Sequence, residues 1–90
     1  MIIGKVVGKL WSTRKNDKLN GQKFLIVKLM SEENRFLNEL FVAVDIIGAG
    51  TGDLVIIVKG GAARIAINDQ TVPIDATIVG IVDSIEVEHE

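Results

Sequence analysis

The chain predicts an all-β fold, a small closed antiparallel barrel of the OB-like type with five to six strands and one short helix. Three observations predict it. Short runs that alternate at the strand period, or are apolar throughout, are separated by turn residues along the whole sequence. Helical composition is confined to residues 62–68, about two turns, so no helix is available as a crossover between parallel strands. The 90 residues contain no internal repeat, linker or low-complexity segment, so residues 1–90 are expected to form one domain.

The first strand is expected over residues 2–11. Ile2, Gly4, Val6, Gly8 and Leu10 alternate with Ile3, Lys5, Val7, Lys9 and Trp11, giving one tight apolar face and one mixed face. Glycines at positions 4 and 8 of the tight face predict a close backbone approach or a bend at a barrel corner. Residues 12–21 are polar and end in Asn20-Gly21, a strong turn signal. A second strand is expected over residues 23–30, then the hydrophilic connection Ser31-Glu32-Glu33-Asn34. A third is expected over residues 39–44, or as far as Ile47.

Gly48-Ala49-Gly50-Thr51-Gly52-Asp53 is a glycine-rich loop, and the element after it decides its meaning. A phosphate-cradling loop needs a helix N-terminus behind its glycines. Here a strand is expected over residues 54–59, opening with Leu54-Val55-Ile56-Ile57-Val58, and the spacing is G-x-G-x-G where the dinucleotide fingerprint requires G-x-G-x-x-G. The loop is therefore a turn between strands, with no cofactor. Gly60-Gly61 then lead into the short helix. After Asn68-Asp69 and Pro73, residues 76–82 are apolar on both faces. Ile85 and Val87 next alternate with Ser84, Glu86 and Glu88.

Composition narrows the function. There is no Cys and no Tyr, and the one His, His89, has no partner in sequence. No nucleophile–base pair and no metal-ligand spacing is present, so neither catalysis nor a metal is expected. Asp45, Asp53, Asp75 and Asp83 fall at predicted strand ends, where Asp caps turns. A formal net charge of −2 argues against a dedicated nucleic-acid binder. Lys9, Arg14, Lys15 and Lys18 make the first loop basic, and Trp11 lies beside it, so an OB-type module for single-stranded nucleic acid stands as the alternative. No apolar run approaches the ~20 residues needed to span a bilayer, and no secretory signal opens the chain, so a cytoplasmic protein is expected.

A domain this small buries only roughly 60 to 65% of the surface of its unfolded chain. With no disulfide or metal to staple it, and with strands apolar on both faces, oligomerisation is the remaining source of stability. Arg64 is the one charge in the apolar residues 62–67 and is expected to find acceptors, as a salt bridge or a carbonyl cap.

Several of these residues carry a resemblance. Gly48-Ala49-Gly50 followed by Gly52-Asp53, an apolar strand, a glycine turn ending in Ala63-Arg64, and Pro73-Ile74-Asp75-Ala76-Thr77-Ile78-Val79-Gly80-Ile81-Val82-Asp83 occur in the order seen in the EutN/CcmL vertex proteins of bacterial microcompartments. Gly4-Lys5-Val6-Val7-Gly8 and the loop from Thr13-Arg14-Lys15 to Leu19-Asn20-Gly21 fit as well, so the chain resembles that family over nearly its whole length. The resemblance implies a pentamer that closes the five-fold corners of a polyhedral shell in the bacterial cytoplasm, beside hexameric shell proteins. One difference stands out: where the family commonly has Gly-Ser-Ser-Ala-Arg, this chain has Gly60-Gly61-Ala62-Ala63-Arg64, without either hydroxyl. Gly48, Gly50, Gly52 and Asp53 in one loop, and Gly60, Gly61, Ala62, Ala63 and Arg64 in the other, are the candidates for the subunit interface or ring axis, because Gly and Ala let backbones approach.

Overall fold

A computed structural model describes residues 1–11, 17–19, 21–31, 35–68 and 74–85. Five strands, β1 (Ile2–Leu10), β2 (Lys23–Met30), β3 (Phe36–Asp45), β4 (Leu54–Lys59) and β5 (Ala76–Ile81), form a closed barrel in the order β1-β2-β3-β5-β4. The helix α1 (Gly60–Ala66) joins β4 to β5, and a 3-10 turn, Asp17–Leu19, lies between β1 and β2.

Four of the five pairings are antiparallel, and β3 with β5 is parallel, joined through Val44 opposite Thr77 and Asp45 opposite Ile78. An antiparallel barrel was expected, and the difference arises from parity. Directions cannot alternate all the way round a closed ring of five strands, so one seam must be parallel. That seam is also the shortest ladder, two residues long.

Alternation builds the core. Leu25 and Val27, Val55 and Ile57, and Ala76 and Ile78 point inward from their strands, and with Val6, Ala43 and Ala49 they fill the barrel. Gly4 is where two backbones meet: a Cβ there would lie 2.8 Å from the Lys28 carbonyl oxygen and 3.2 Å from Ile57 Cδ1. Gly8 marks a bend instead. Val6 pairs with Val27 but Gly8 pairs with Ile26, so Val7 is the extra residue of a β-bulge. The bulge changes the alternation expected of β1: Leu10 pairs with Phe24 and is 42% exposed, so it does not continue the inward face of Ile2, Gly4 and Val6.

β2 and β4 have the bounds read from the sequence. β1 and β5 stop one residue earlier, at Leu10 and Ile81. β3 begins at Phe36, three residues before the expected start, because the register shifts between Lys28 and Met30: Lys28 pairs with Leu40 but Met30 pairs with Phe36, so the ten residues of β3 span the eight of β2. It ends at Asp45, with no continuation to Ile47. The helix was expected over residues 62–68. It starts at Gly60 and stops at Ala66, since Asn68 takes a left-handed conformation (φ 60°), which ends a helix. Gly21 (φ 83°) and a Gln22 N–H donated to Leu19 O make the turn signalled at Asn20-Gly21, although Asn20 itself lies outside the described residues. So do Pro73, Val87 and His89.

Candidate functional site

The glycine loop is a turn whose three glycine amides are already occupied. Asp45, buried at the end of β3, accepts the Ile47 N–H (3.0 Å) and the Gly48 N–H (3.1 Å) on Oδ1. Asp53 Oδ2 accepts the Gly50 N–H at 2.8 Å, and Asp53 donates its own N–H to Gly50 O. Gly52 donates to Val6 O at 2.8 Å and Asp53 O accepts from Val6, which fixes the loop to β1. Two carboxylates thus sit where a phosphate would have to bind, and β4 comes directly after. Lys23 Nζ lies 3.5 Å from Asp45 Oδ2 and also donates to Ala49 O.

The second loop holds α1 against the barrel. Gly60 donates to Asp75 O, the fully buried Thr77 donates its hydroxyl to Ala63 O at 2.9 Å, and Arg64 donates to Ile74 O at 3.1 Å. Arg64 is half-buried, and its acceptor here is a carbonyl cap, one of the two partners expected for it. Ala63 is buried in the subunit's own core, whereas Gly61 and Ala62 are exposed. Thr77 was not singled out in the sequence, since an alternating Ala-Thr-Ile run carries no sign of which hydroxyl meets a helix.

The two loops lie at opposite ends of β4, about 20 Å apart for six residues of strand. Their glycines divide into two kinds. Gly48 (φ 94°), Gly52 (φ 96°) and Gly60 (φ 60°) have left-handed backbones that side chains rarely tolerate, which accounts for them without a neighbour. Gly50 and Gly61 have no such φ. A Cβ on Gly50 would meet only Asp53 Oδ2 at 4.0 Å, and one on Gly61 only Arg64 at 3.8 Å, so nothing within the subunit requires glycine at either.

The third feature is the outer edge of β3. Only Val44 and Asp45 pair with β5, so from Phe36 to Val42 the strand has no ladder on that side among the described residues. Along it Phe36 (40%), Leu37 (42%), Leu40 (56%) and Val42 (41%) are exposed. Phe36 and Leu37 were outside the expected third strand, so the length of this edge was missed.

The family described as "Ethanolamine utilisation protein EutN/carboxysome" matches residues 1–83. The chain belongs to the EutN/CcmL family. It is 42% identical over 85 residues to the carboxysome shell vertex protein CcmL of Thermosynechococcus vestitus, covering 94% of this chain and 86% of that one. Its fold is similar to the structure of Gloeobacter violaceus CcmL, with a TM-score of 0.91, 36% identity, and coverage of 98% of this chain and 91% of that chain. The pentameric microcompartment shell protein GrpN from Rhodospirillum rubrum gives a TM-score of 0.87 and 41% identity, over 98% of this chain and all of GrpN (100%).

Nothing in this EutN/CcmL chain favours the nucleic-acid alternative. Phe41 packs on the core with Lys59 Nζ 5.1 Å from its ring centre, Phe24 joins a cluster with Val44 and Ile74, and Phe36 has Lys5 over its ring. With those three rings engaged, Trp11 is the one largely exposed aromatic among the described residues, and a single ring provides no row on which successive bases could stack. Among the described residues no three His, Asp or Glu side chains group as metal ligands, and no helix is long and apolar enough to cross a membrane.

Proposed function

We propose that this chain is a structural shell protein whose pentamers cap the five-fold vertices of a bacterial microcompartment, in the cytoplasm of its host. The free edge of β3 carries the reading. The barrel is closed and its core is full, yet four apolar side chains line a strand edge with no partner among the described residues of the same chain. An edge of this kind is a template for association unless another chain covers it. A heterologous contact repeated around a rotation axis closes into a ring. The pentameric GrpN is built on the same fold, which sets the expected number at five.

The finer features depend on that assembly. Gly50 or Gly61 approaches the ring axis, since both lack a reason to be glycine within the subunit. Hexameric shell proteins are the partners of the ring, because a hexagonal layer closes into a polyhedron only where five-fold points interrupt it. The chain has no catalytic role: the Gly48 and Gly50 amides of its loop are taken by Asp45 and Asp53, and its composition supplies no nucleophile with a base.

Native mass spectrometry of the purified protein is the test. A ring of five subunits is expected. A monomer at micromolar concentration overturns the reading, and removal of the protein from its host should leave shells elongated or leaky.

A further inference from the structure

A groove of about 400 Å³ at the end of β1 is lined by Lys9, Leu10, Trp11, Gln22, Lys23 and Phe24. Trp11 is 82% exposed in the single chain, the largest exposed area that an aromatic ring presents here. The groove also borders an open strand edge. The β1–β4 ladder stops at Lys5 opposite Leu54, and Val6 is bound to the turn at residues 52–53, so beyond Val6 that side of β1 meets no strand among the described residues.

At the other end of the chain, β5 finishes with the Val82 N–H donated to Leu54 O, and Asp83, Ser84 and Ile85 are exposed. The sequence then continues Glu86-Val87-Glu88-His89-Glu90, with Ile85 and Val87 alternating with acids. Eight residues beyond Val82 span up to about 26 Å when extended. That length exceeds the 21 and 23 Å short dimensions of the subunit. The charges are complementary: Asp83, Glu86, Glu88 and Glu90 lie in this segment, whereas Lys9 and Lys23 line the groove, and Arg14, Lys15 and Lys18 belong to the same connection between β1 and β2.

We propose that residues 84–90 of one subunit dock in the Trp11 groove of the adjoining subunit, extending along the free edge of β1 with Ile85 and Val87 against Trp11 and Leu10, and the glutamates facing Lys9 and Lys23. The inference rests on the reading of the chain as a ring-forming subunit. Trp11 is left exposed by the described residues of its own subunit, and the neighbour's segment supplies an apolar cover for it. A segment of one subunit seated in a groove of the next is a head-to-tail contact, the kind that repeats around a ring. Backbone pairing supplies affinity, and the alternate side chains set the register.

Trp11 is the sole tryptophan and the chain has no tyrosine, so intrinsic emission reports on this groove alone. The full chain is compared with a variant carrying Glu86→Lys, Glu88→Lys and Glu90→Lys, by emission wavelength and acrylamide quenching, with native mass spectrometry on the same samples. In wild-type rings Trp11 should be shielded at low salt and become more accessible as salt rises. In the triple variant the shielded fraction relative to the accessible one should fall roughly fivefold or more, as expected for the loss of exposed ion pairs. Adding Lys9→Glu to the triple variant should restore part of the shielding. Wild-type rings in which Trp11 is freely quenched overturn the proposal and leave the pentamer standing. Shielding unaffected by the triple substitution overturns it too, by assigning the cover to another segment. Shielding that persists in diluted monomers assigns the cover to the subunit itself and also overturns it. Absence of any ring defeats the vertex reading first and this inference with it.

Discussion

The Thr77 hydroxyl donates to the Ala63 carbonyl at 2.9 Å, and both residues are fully buried. With the Arg64 guanidinium on Ile74 O, this bond ties a helix of seven residues to β5 and the chain just before it. A helix so short has little stability of its own. Thr77→Val keeps the shape and removes the donor, and should cost about 1 kcal/mol; Arg64→Ala should cost ~1–2 kcal/mol. The midpoint of urea unfolding at fixed protomer concentration is the measure. An unchanged midpoint for both variants would show that packing alone holds α1.

Asp45→Ala should be more damaging. Its carboxylate accepts two backbone N–H groups in a buried position, and hydrogen bonds to a charged group are worth more than neutral ones, so a loss of about 2–3 kcal/mol is expected. Lys23 contributes less, because its side chain is 49% exposed and solvent screens the pair. Lys23→Met should therefore cost under ~1 kcal/mol. Equal losses for the two variants would place the energy in the ion pair and contradict this assignment.

Gly4→Ala tests the close approach of β1 to β2. The added methyl would meet a backbone carbonyl oxygen at 2.8 Å, an atom that moves only if the strand moves. A destabilisation of about 1–3 kcal/mol is expected, in the range of overpacked cores. Gly8→Ala, where the nearest atom is Ile26 Cδ1 at 3.7 Å, should cost less. Both are measured by thermal unfolding, and the reverse order would refute the account of β1.

Gly50→Asp and, separately, Gly61→Asp place a carboxylate on an accessible part of each loop. At the ring axis five copies of that charge would face one another, and like charges about 4 Å apart repel by ~4 kcal/mol per pair at an effective dielectric of about 20. One variant should lose its pentamers in native mass spectrometry at low salt, while the other retains them. Intact pentamers from both would remove either loop from the axis.

Much of the architecture is legible in the residues because strand pattern is local. The bounds of β2 and β4 are set by runs of β-branched and apolar residues ending at glycine or polar turns, and the glycine loop is recognisable as a turn because a strand comes after it. The capping role of Asp45 and Asp53 belongs to the same class, since an Asp bonding amides two or three residues away acts within a single turn. The order of motifs along the chain is enough to show its family, because that order is a property of the sequence and needs no fold.

Only the tertiary structure decided what depends on residues distant in sequence. The parallel β3–β5 seam comes from closing an odd number of strands, a property of the ring and of no single strand. The bulge at Val7 turns Leu10 away from the inward face because β1 must follow β2 around the barrel, and alternation alone cannot show that. The burial of Ala63, the Thr77 bond to it and the two kinds of glycine in the candidate loops likewise require the partners to be in place. A residue's type states what it can bond or bury, and the fold determines which atom it meets.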